Sequence, residues 1–166
     1  MMKKKIIFLD HDGVLCLAHN WGSRKKTKRD FDDFDQECVS ILNNILDTFP
    51  NIEIVVSSDW RLYEEDLLTM QYHYSEMGVK KFPIDYTPDL SNDKSVRQYK
   101  AKMRTKEILQ YCQEHQAQIE TWVAIDDLEL SLPKLNFVKT NTEFGLNEPG
   151  ILQQVIKNLN SICLQK

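Results

Sequence analysis

The amino-acid sequence predicts an α/β domain with a mainly parallel central sheet. Short apolar runs alternate with segments of helical periodicity along the whole chain. The apolar runs are compact and rich in Ile, Val and Phe, as is typical of strands buried on both faces. With 166 residues, 42% of them hydrophobic, the chain is long enough for a substantial core. We therefore expect residues 1–166 to form one domain, in which crossover helices connect parallel strands.

Three strands are predicted clearly, at residues 6–10, 52–57 and 122–126. Residues 136–140 give a weaker fourth candidate. Residues 79–84 give a fifth, which Pro83 restricts to an edge of the sheet because proline cannot donate to a ladder on that side.

Four helices are predicted from apolar stripes at residues 34–49, 63–77, 101–115 and 151–162. The second stripe places the acidic residues 64–66 in its first turn, where negative charge favours a helix N-terminus. Residues 13–33 and 85–100 lack clear periodicity and are expected to form a flap-like segment and an irregular loop.

Composition excludes several classes of protein. The net charge of −4 is not that of a general nucleic-acid binder, so any basic site must be local. The four cysteines stand far apart and no Cys/His cluster appears, which argues against a zinc site. The apolar run after the N-terminal lysines is too short for a signal peptide, and no stretch approaches the roughly 20 apolar residues of a membrane span. A cytoplasmic protein without membrane contact is expected.

Polar residues follow the three clear strands at the point where each strand ends. Because the carboxyl ends of parallel strands meet at one edge of a sheet, these side chains are expected to converge on one site. The residues concerned are Asp10, Asp12, Ser57, Ser58, Asp126 and Asp127.

Converging carboxylates require compensation. Two of them about 4 Å apart repel by roughly 4 kcal/mol at an effective dielectric of 20. Mg²⁺, which prefers oxygen ligands, is the natural partner and commonly binds together with phosphate. The turn "VVSSDW" offers hydroxyl and backbone N–H donors to a phosphoryl group. Cations precede and enter the third helix, at Lys100, Lys102, Arg104 and Lys106.

Four motifs in the same order resemble those of the haloacid dehalogenase (HAD) superfamily. "FLDHDGVL" resembles motif I, "IEIVVSS" motif II, "MRTKEI" motif III and "WVAIDD" motif IV. The stretches "SSDWR", "RTKEI" and "TEFGL" are most similar to the small HAD domains of the Swiss-army-knife RNA-repair type. The resemblance implies a three-layer Rossmann-like domain, and the spacing of the motifs leaves no room for a sizeable cap domain over the site.

The resemblance also implies the chemistry of a phosphatase. Asp10 would be the nucleophile that forms an aspartyl-phosphate, and Asp12 would be the general acid and base. Mg²⁺ would be held by Asp10, by the backbone carbonyl of Asp12, and by Asp126 or Asp127.

The remaining roles implied by the resemblance concern the phosphate. Ser57 would bind a phosphoryl oxygen, with Ser58 as the alternative one residue further on. Arg104 is preferred as the motif III cation because its spacing to "EI" fits the subgroup. Lys102 and Lys106 remain the alternatives.

Two assignments stay open between a structural and a functional reading. Trp60 and Arg61 are expected to begin a helix, or else to shape the edge of the substrate site. The run "RKKTKR" at residues 24–29 is expected to be a solvated loop, or else to contact a polyanion such as a nucleic-acid end.

An open site favours an accessible, macromolecular phosphate substrate, such as a nucleic-acid end or a nucleotide. A catalytically weak phosphate-binding or scaffold module and a metal-dependent nuclease-like domain are the alternative hypotheses. A receiver domain is disfavoured, since the middle strand that should carry its phosphorylated Asp ends in Ser57.

Overall fold

A computed structural model describes residues 2–22, 31–92 and 99–161 of the chain. The basic run at residues 24–29 lies outside these ranges, as do parts of the predicted flap and of the irregular loop. The end of the fourth predicted helix, with Ile162, lies outside them as well.

The predicted sheet is confirmed: five strands pair in parallel in the order β3-β2-β1-β4-β5. Their bounds are Lys4–Leu9 for β1, Ile52–Val56 for β2, Pro83–Tyr86 for β3, Ile119–Asp126 for β4 and Phe137–Lys139 for β5. Strand β1 therefore lies at the centre of the sheet, where both of its edges are covered.

The α-helices run from Gln36 to Thr48 (α1), Trp60 to Tyr63 (α2), Leu67 to Glu76 (α3), Lys100 to Glu114 (α4) and Ile151 to Asn160 (α5). Short 3₁₀ helices lie at Ala18–Asn20, Lys134–Asn136 and Gly145–Asn147. Asp35 begins α1, because its side chain accepts hydrogen bonds from the backbone N–H groups of Glu37 and Cys38.

Successive side chains of the central strand point to opposite faces of the sheet, and the core therefore has two layers. Ile7 and Leu9 pack in one cluster with residues of α1, α3 and α5, whereas Ile6 and Phe8 pack in the other with residues of α4. Helices on both faces of a parallel sheet make the three-layer α/β arrangement that was predicted.

Two predicted elements need correction. The fifth strand was expected at residues 79–84 but begins at Pro83. Proline is tolerated at the first position of a strand, where no N–H is required. The strand lies at the edge of the sheet, as expected. Val79 is buried against the core instead of pairing in the sheet.

The second predicted helix, at residues 63–77, begins later than expected: α3 starts at Leu67, and Tyr63 is the last residue of the separate helix α2. The segment between α2 and α3 ends at Asp66, whose side chain accepts hydrogen bonds from Leu68 N and Thr69 Oγ1. Asp66 is therefore the N-cap of α3 and not a first-turn residue. Tyr63 is 79% exposed and is not part of the apolar stripe.

Between β1 and α1, and between β2 and α4, the described residues contain no independently folded cap domain. No described helix is both long and apolar enough to cross a lipid bilayer.

Candidate active site

The carboxyl ends of the central strands lie side by side. The backbone N–H of Asp10 donates to Ile125 O over 3.1 Å, and that of Ser57 donates to Leu9 O over 3.0 Å. These bonds extend the parallel ladders one residue beyond β1 and β2. Ser57, Asp10 and Asp126 are therefore neighbours at one edge of the sheet, as the sequence predicted.

Three carboxylates converge there. Asp10, Asp126 and Asp127 each offer an oxygen within 4.8 Å of the others. Asp10 is 4% exposed and Asp126 only 1% exposed, so this cluster reaches into the interior. The side chain of Asp12 is exposed and does not belong to the cluster.

Arg104 supplies positive charge to this cluster from α4. Its Nη1 lies 2.9 Å from Asp10 Oδ2 and 2.8 Å from Asp126 Oδ2. Its Nη2 lies 2.7 Å from Asp59 Oδ1. The buried guanidinium thus bridges the ends of β1 and β4 and the residue that precedes α2.

The pKa values reflect opposing effects of burial and charge. Burial raises the pKa of the Asp10 carboxyl well above its ordinary value, Asp126 raises it further, and Arg104 opposes both. Burial also raises the pKa of Asp126, against the effect of Arg104. Additional positive charge at this edge of the sheet would favour the ionised carboxylates.

A second cation lies next to Arg104. Lys100 Nζ is 2.7 Å from Asp59 Oδ2, and the Lys100 side chain is 55% exposed. Burial alone would raise the pKa of Asp59, but Lys100 and Arg104 lower it overall. The other two motif III candidates, Lys102 and Lys106, have exposed side chains. The structure therefore brings Arg104 to the acids, with Lys100 at the margin.

The two serines after β2 differ in their surroundings. Ser58 Oγ accepts a hydrogen bond from the backbone N–H of Trp60 over 3.3 Å, as an N-terminal residue of a short helix does. Ser57 Oγ is buried and has no hydrogen-bond partner among the described residues. An unpartnered buried hydroxyl costs about 1–3 kcal/mol, and a phosphoryl oxygen would supply its partner.

Asp12 is placed by the tight turn that follows β1. Gly13 adopts the left-handed region, at φ +76°, and its N–H donates to Cys16 O over 2.9 Å. Asp12 Oδ2 accepts a hydrogen bond from Trp60 Nε1 over 3.1 Å. The second acid of motif I thus contacts Trp60, the first residue of the short helix α2 that follows β2.

The stretch "TEFGL" and the residues before it support this turn. Thr140 Oγ1 donates to Gly13 O over 2.8 Å, and Thr142 Oγ1 donates to Asp127 Oδ2 over 3.0 Å. A Cβ at position 13 would overlap the Asp127 carboxylate, so only glycine allows this close approach. Asp127 is therefore held between motif I and the segment after β5.

Comparison with known families agrees with this geometry. The family described as "HAD domain in Swiss Army Knife RNA repair proteins" matches residues 6–151. The chain belongs to this family. No curated protein and no solved structure gave a significant match. The resemblance seen in the sequence is thus confirmed, and membership supports a phosphatase-like HAD module whose acidic cluster is compatible with a metal ion.

In this HAD domain, Arg61 organises the backbone around the site and is not at its edge. Its guanidinium donates to the carbonyls of Ser57, Ser58, Thr87 and Pro88, at 3.0 to 3.3 Å. It also forms an ion pair with Glu107 of α4 at 2.6 Å, with both side chains buried. The loops after β2 and β3 are thereby fixed to α4.

His11 lies inside the domain, between the two motif I acids in sequence. Its Nε2 shares a hydrogen bond with the Tyr74 hydroxyl at 2.7 Å, and its ring packs against Phe34 and Trp60. Burial lowers the pKa of His11 well below its ordinary value, which favours the neutral imidazole. This placement gives His11 a structural role in the aromatic packing around Trp60.

Sequence reasoning missed two residues of the site. Asp59 has no role assigned from the sequence, but its side chain pairs with Arg104 at 2.7 Å. Thr142 is the first residue of the stretch "TEFGL", and the sequence assigned it no role of its own. No local pattern distinguishes either of them from an ordinary turn residue.

The buried ion pair generates a prediction about stability. Replacing Arg61 by Met should lower the free energy of unfolding by about 3–5 kcal/mol, because it leaves the Glu107 carboxylate buried without its partner. Urea unfolding followed by circular dichroism measures this difference.

The matched control breaks an exposed pair. Asp47 and Lys80 pair on the surface with side chains more than half exposed, so Asp47→Asn should cost about 0–1 kcal/mol. Equal losses in the two variants would contradict the structural role given to Arg61.

Proposed function

We propose that this HAD domain is a Mg²⁺-dependent phosphomonoester hydrolase that acts through an aspartyl-phosphate on Asp10. The observation that carries the proposal is the arrangement at the carboxyl edge of the sheet. The buried carboxylate of Asp10, directly after the central strand, lies against Arg104 and near the carboxylates of Asp126 and Asp127. Asp12, two residues later, is exposed.

The residues at this edge suit a hard divalent cation. Asp10, Asp126 and Asp127 offer carboxylate oxygens that already lie within 4.8 Å of one another. The backbone carbonyl of Asp12 is the further ligand expected from the resemblance. Mg²⁺ bound there would screen the substrate phosphate from the carboxylates.

In the first step, an Oδ atom of Asp10 forms a bond to phosphorus while the bond from phosphorus to the leaving oxygen breaks. Asp12 donates its proton to that leaving oxygen, so the product departs as a neutral alcohol. Burial against Arg104 keeps the Asp10 carboxylate in one orientation, which favours in-line attack.

In the second step, Asp12, now ionised, removes a proton from water as its oxygen attacks phosphorus. The bond between phosphorus and Asp10 breaks, which releases inorganic phosphate and restores the free carboxylate. Asp12 ends this step protonated, as it began the first.

Ser57 and Arg104 would bind the phosphoryl group during both steps. The buried Ser57 hydroxyl has no hydrogen-bond partner within the described part of the chain and would donate to one phosphoryl oxygen. Arg104 would stabilise the charge that develops on the transferred group, as preorganised cations do in phosphoryl transfer.

Access to the site favours a large substrate. No cap domain covers the carboxyl edge of the sheet within the described ranges, so an accessible phosphate on a nucleic-acid end or a nucleotide would fit. The basic run at residues 24–29 is proposed to contact such a polyanion. A clear preference for small sugar phosphates over phosphorylated oligonucleotides would contradict this part of the proposal.

The nucleophile is tested by replacing Asp10 with Asn. Release of phosphate from an aryl phosphate should fall by a factor on the order of a thousand or more, because the amide is a poor nucleophile. In the wild type, a chelator should abolish release and added Mg²⁺ should restore it.

Asp47→Asn is the control for this assay, since Asp47 is an exposed acid on α1 and should leave turnover unchanged. Equal activity in the wild type and in Asp10→Asn would refute the nucleophile. A wild type without activity on aryl phosphates or phosphorylated oligonucleotides would favour the scaffold alternative.

The identity of the motif III cation is tested on α4. Replacing Arg104 by Gln should lower kcat/KM by about 100-fold or more, because it removes a charge that touches the reacting groups. Replacing Lys102, which is exposed on the same helix, should change kcat/KM by less than about twofold. The reverse ranking would assign the role to Lys102.

A further inference from the structure

The indole of Trp60 is in direct contact with the exposed acid of motif I. Its Nε1–H donates to Asp12 Oδ2 over 3.1 Å. Trp60 is 8% exposed, whereas Asp12 lies at the surface. A nearly buried donor therefore restrains the orientation of a carboxylate at the surface.

The indole itself is held rigidly. Its ring stacks on Phe31 with a centroid distance of 4.8 Å and an interplanar angle of 4°. The Trp60 and His11 rings pack edge to face with 4.6 Å between their centroids. The centroid of the Phe34 ring lies 6.0 Å from that of Trp60. Packing against these rings restricts the orientation of the indole.

The chemistry of the indole suits a positioning role. An indole N–H donates a hydrogen bond but does not accept one and does not titrate. It can thus orient a carboxylate without competing for the proton that the carboxylate transfers. Trp60 also follows Ser57 and Ser58 in sequence, so the donor moves with the turn that would bind the phosphate.

We propose that Trp60 is a positioning residue that orients Asp12 towards the leaving oxygen. This inference rests on the proposed hydrolase function and adds to it a residue that acts through Asp12. Trp60 makes no contact with the reacting atoms in the proposal, and its effect is exerted only when Asp12 transfers a proton.

That restriction gives a distinctive prediction about leaving groups. When the phosphorus–oxygen bond breaks, an alkoxide must receive the proton of Asp12, whereas a dinitrophenolate departs without it. Since kcat/KM reports the steps up to formation of the phosphorylated Asp10, it should depend on Asp12 only for the alkyl substrate.

The experiment compares Trp60→Phe with wild type on benzyl phosphate and on a dinitrophenyl phosphate. Phenylalanine retains the stacking ring and removes the N–H. For benzyl phosphate, kcat/KM should fall by about 10- to 100-fold, the factor expected for a hydrogen bond to a charged group. For the dinitrophenyl ester it should stay within about twofold.

Trp122→Phe is the matched control. Trp122 is also 8% exposed, but it packs against Phe8 in the opposite layer of the core. Its replacement should give no difference between the two substrates, whatever its effect on stability.

The outcomes separate the two levels of the proposal. An active wild type with equal losses on both substrates, or with no loss, overturns the role of Trp60 and leaves the hydrolase intact. A wild type that hydrolyses neither of these esters nor a phosphorylated oligonucleotide overturns the hydrolase and this inference together. In an Asp12→Asn background, Trp60→Phe should have no further effect on benzyl phosphate.

A second measurement detects the hydrogen bond itself and does not require the Trp60→Phe variant to fold. The chain has three tryptophans, so an indole ¹H–¹⁵N spectrum contains three side-chain signals. Asp12→Ala should shift one of them strongly, and Trp21→Phe and Trp122→Phe should identify the remaining two. An unchanged third signal in Asp12→Ala would overturn the hydrogen bond on which the proposal depends.

Discussion

The site depends on the buried guanidinium of Arg104, which pairs with Asp10 and Asp126 at once. A lone buried carboxylate or guanidinium would be strongly unfavourable, since desolvation of an ion costs several kcal/mol. The ion pairs between Arg104 and the two carboxylates therefore compensate for the burial of each charged group. The pairing fixes α4 against the ends of β1 and β4, so the orientation of the Asp10 carboxylate and the packing of the domain are set by the same contacts. A metal ion would add to this balance of charge without replacing it.

Around this centre, polar contacts to the backbone hold the loops. Arg61 ties the turns after β2 and β3 to α4, while Thr140 and Thr142 tie the motif I turn and Asp127 to the segment after β5. Neither set contributes a reacting atom. Their role is to keep flexible turns in one conformation, which the rigid sheet alone does not do. The domain thus has a charged centre, a shell of backbone contacts and an exposed acid, Asp12, oriented by an aromatic donor.

The sequence was sufficient for the sheet and for the residues at its carboxyl edge, because strand burial and strand ends are local patterns. It was insufficient where a choice depended on contacts across the fold. Residues 63–77 carried a helical stripe, yet Asp66 accepts bonds that start a new helix. Asp59 carries no local signal of its role, because Arg104, the cation that it binds, lies 45 residues away in sequence. Trp60 could not be separated from a simple helix start, since its partner Asp12 belongs to another strand end.

The strand order has a consequence for how the domain is assembled. The central strand is the first in the chain, and its neighbour β4 is made of residues 119–126. Pairing these two strands requires closure of most of the polypeptide, an entropically costly and slow contact. Arg104 cannot lose its water until that closure brings both of its carboxylates together. A chain in which β1 and β4 are not yet paired therefore lacks the charged cluster, which forms only together with the centre of the sheet.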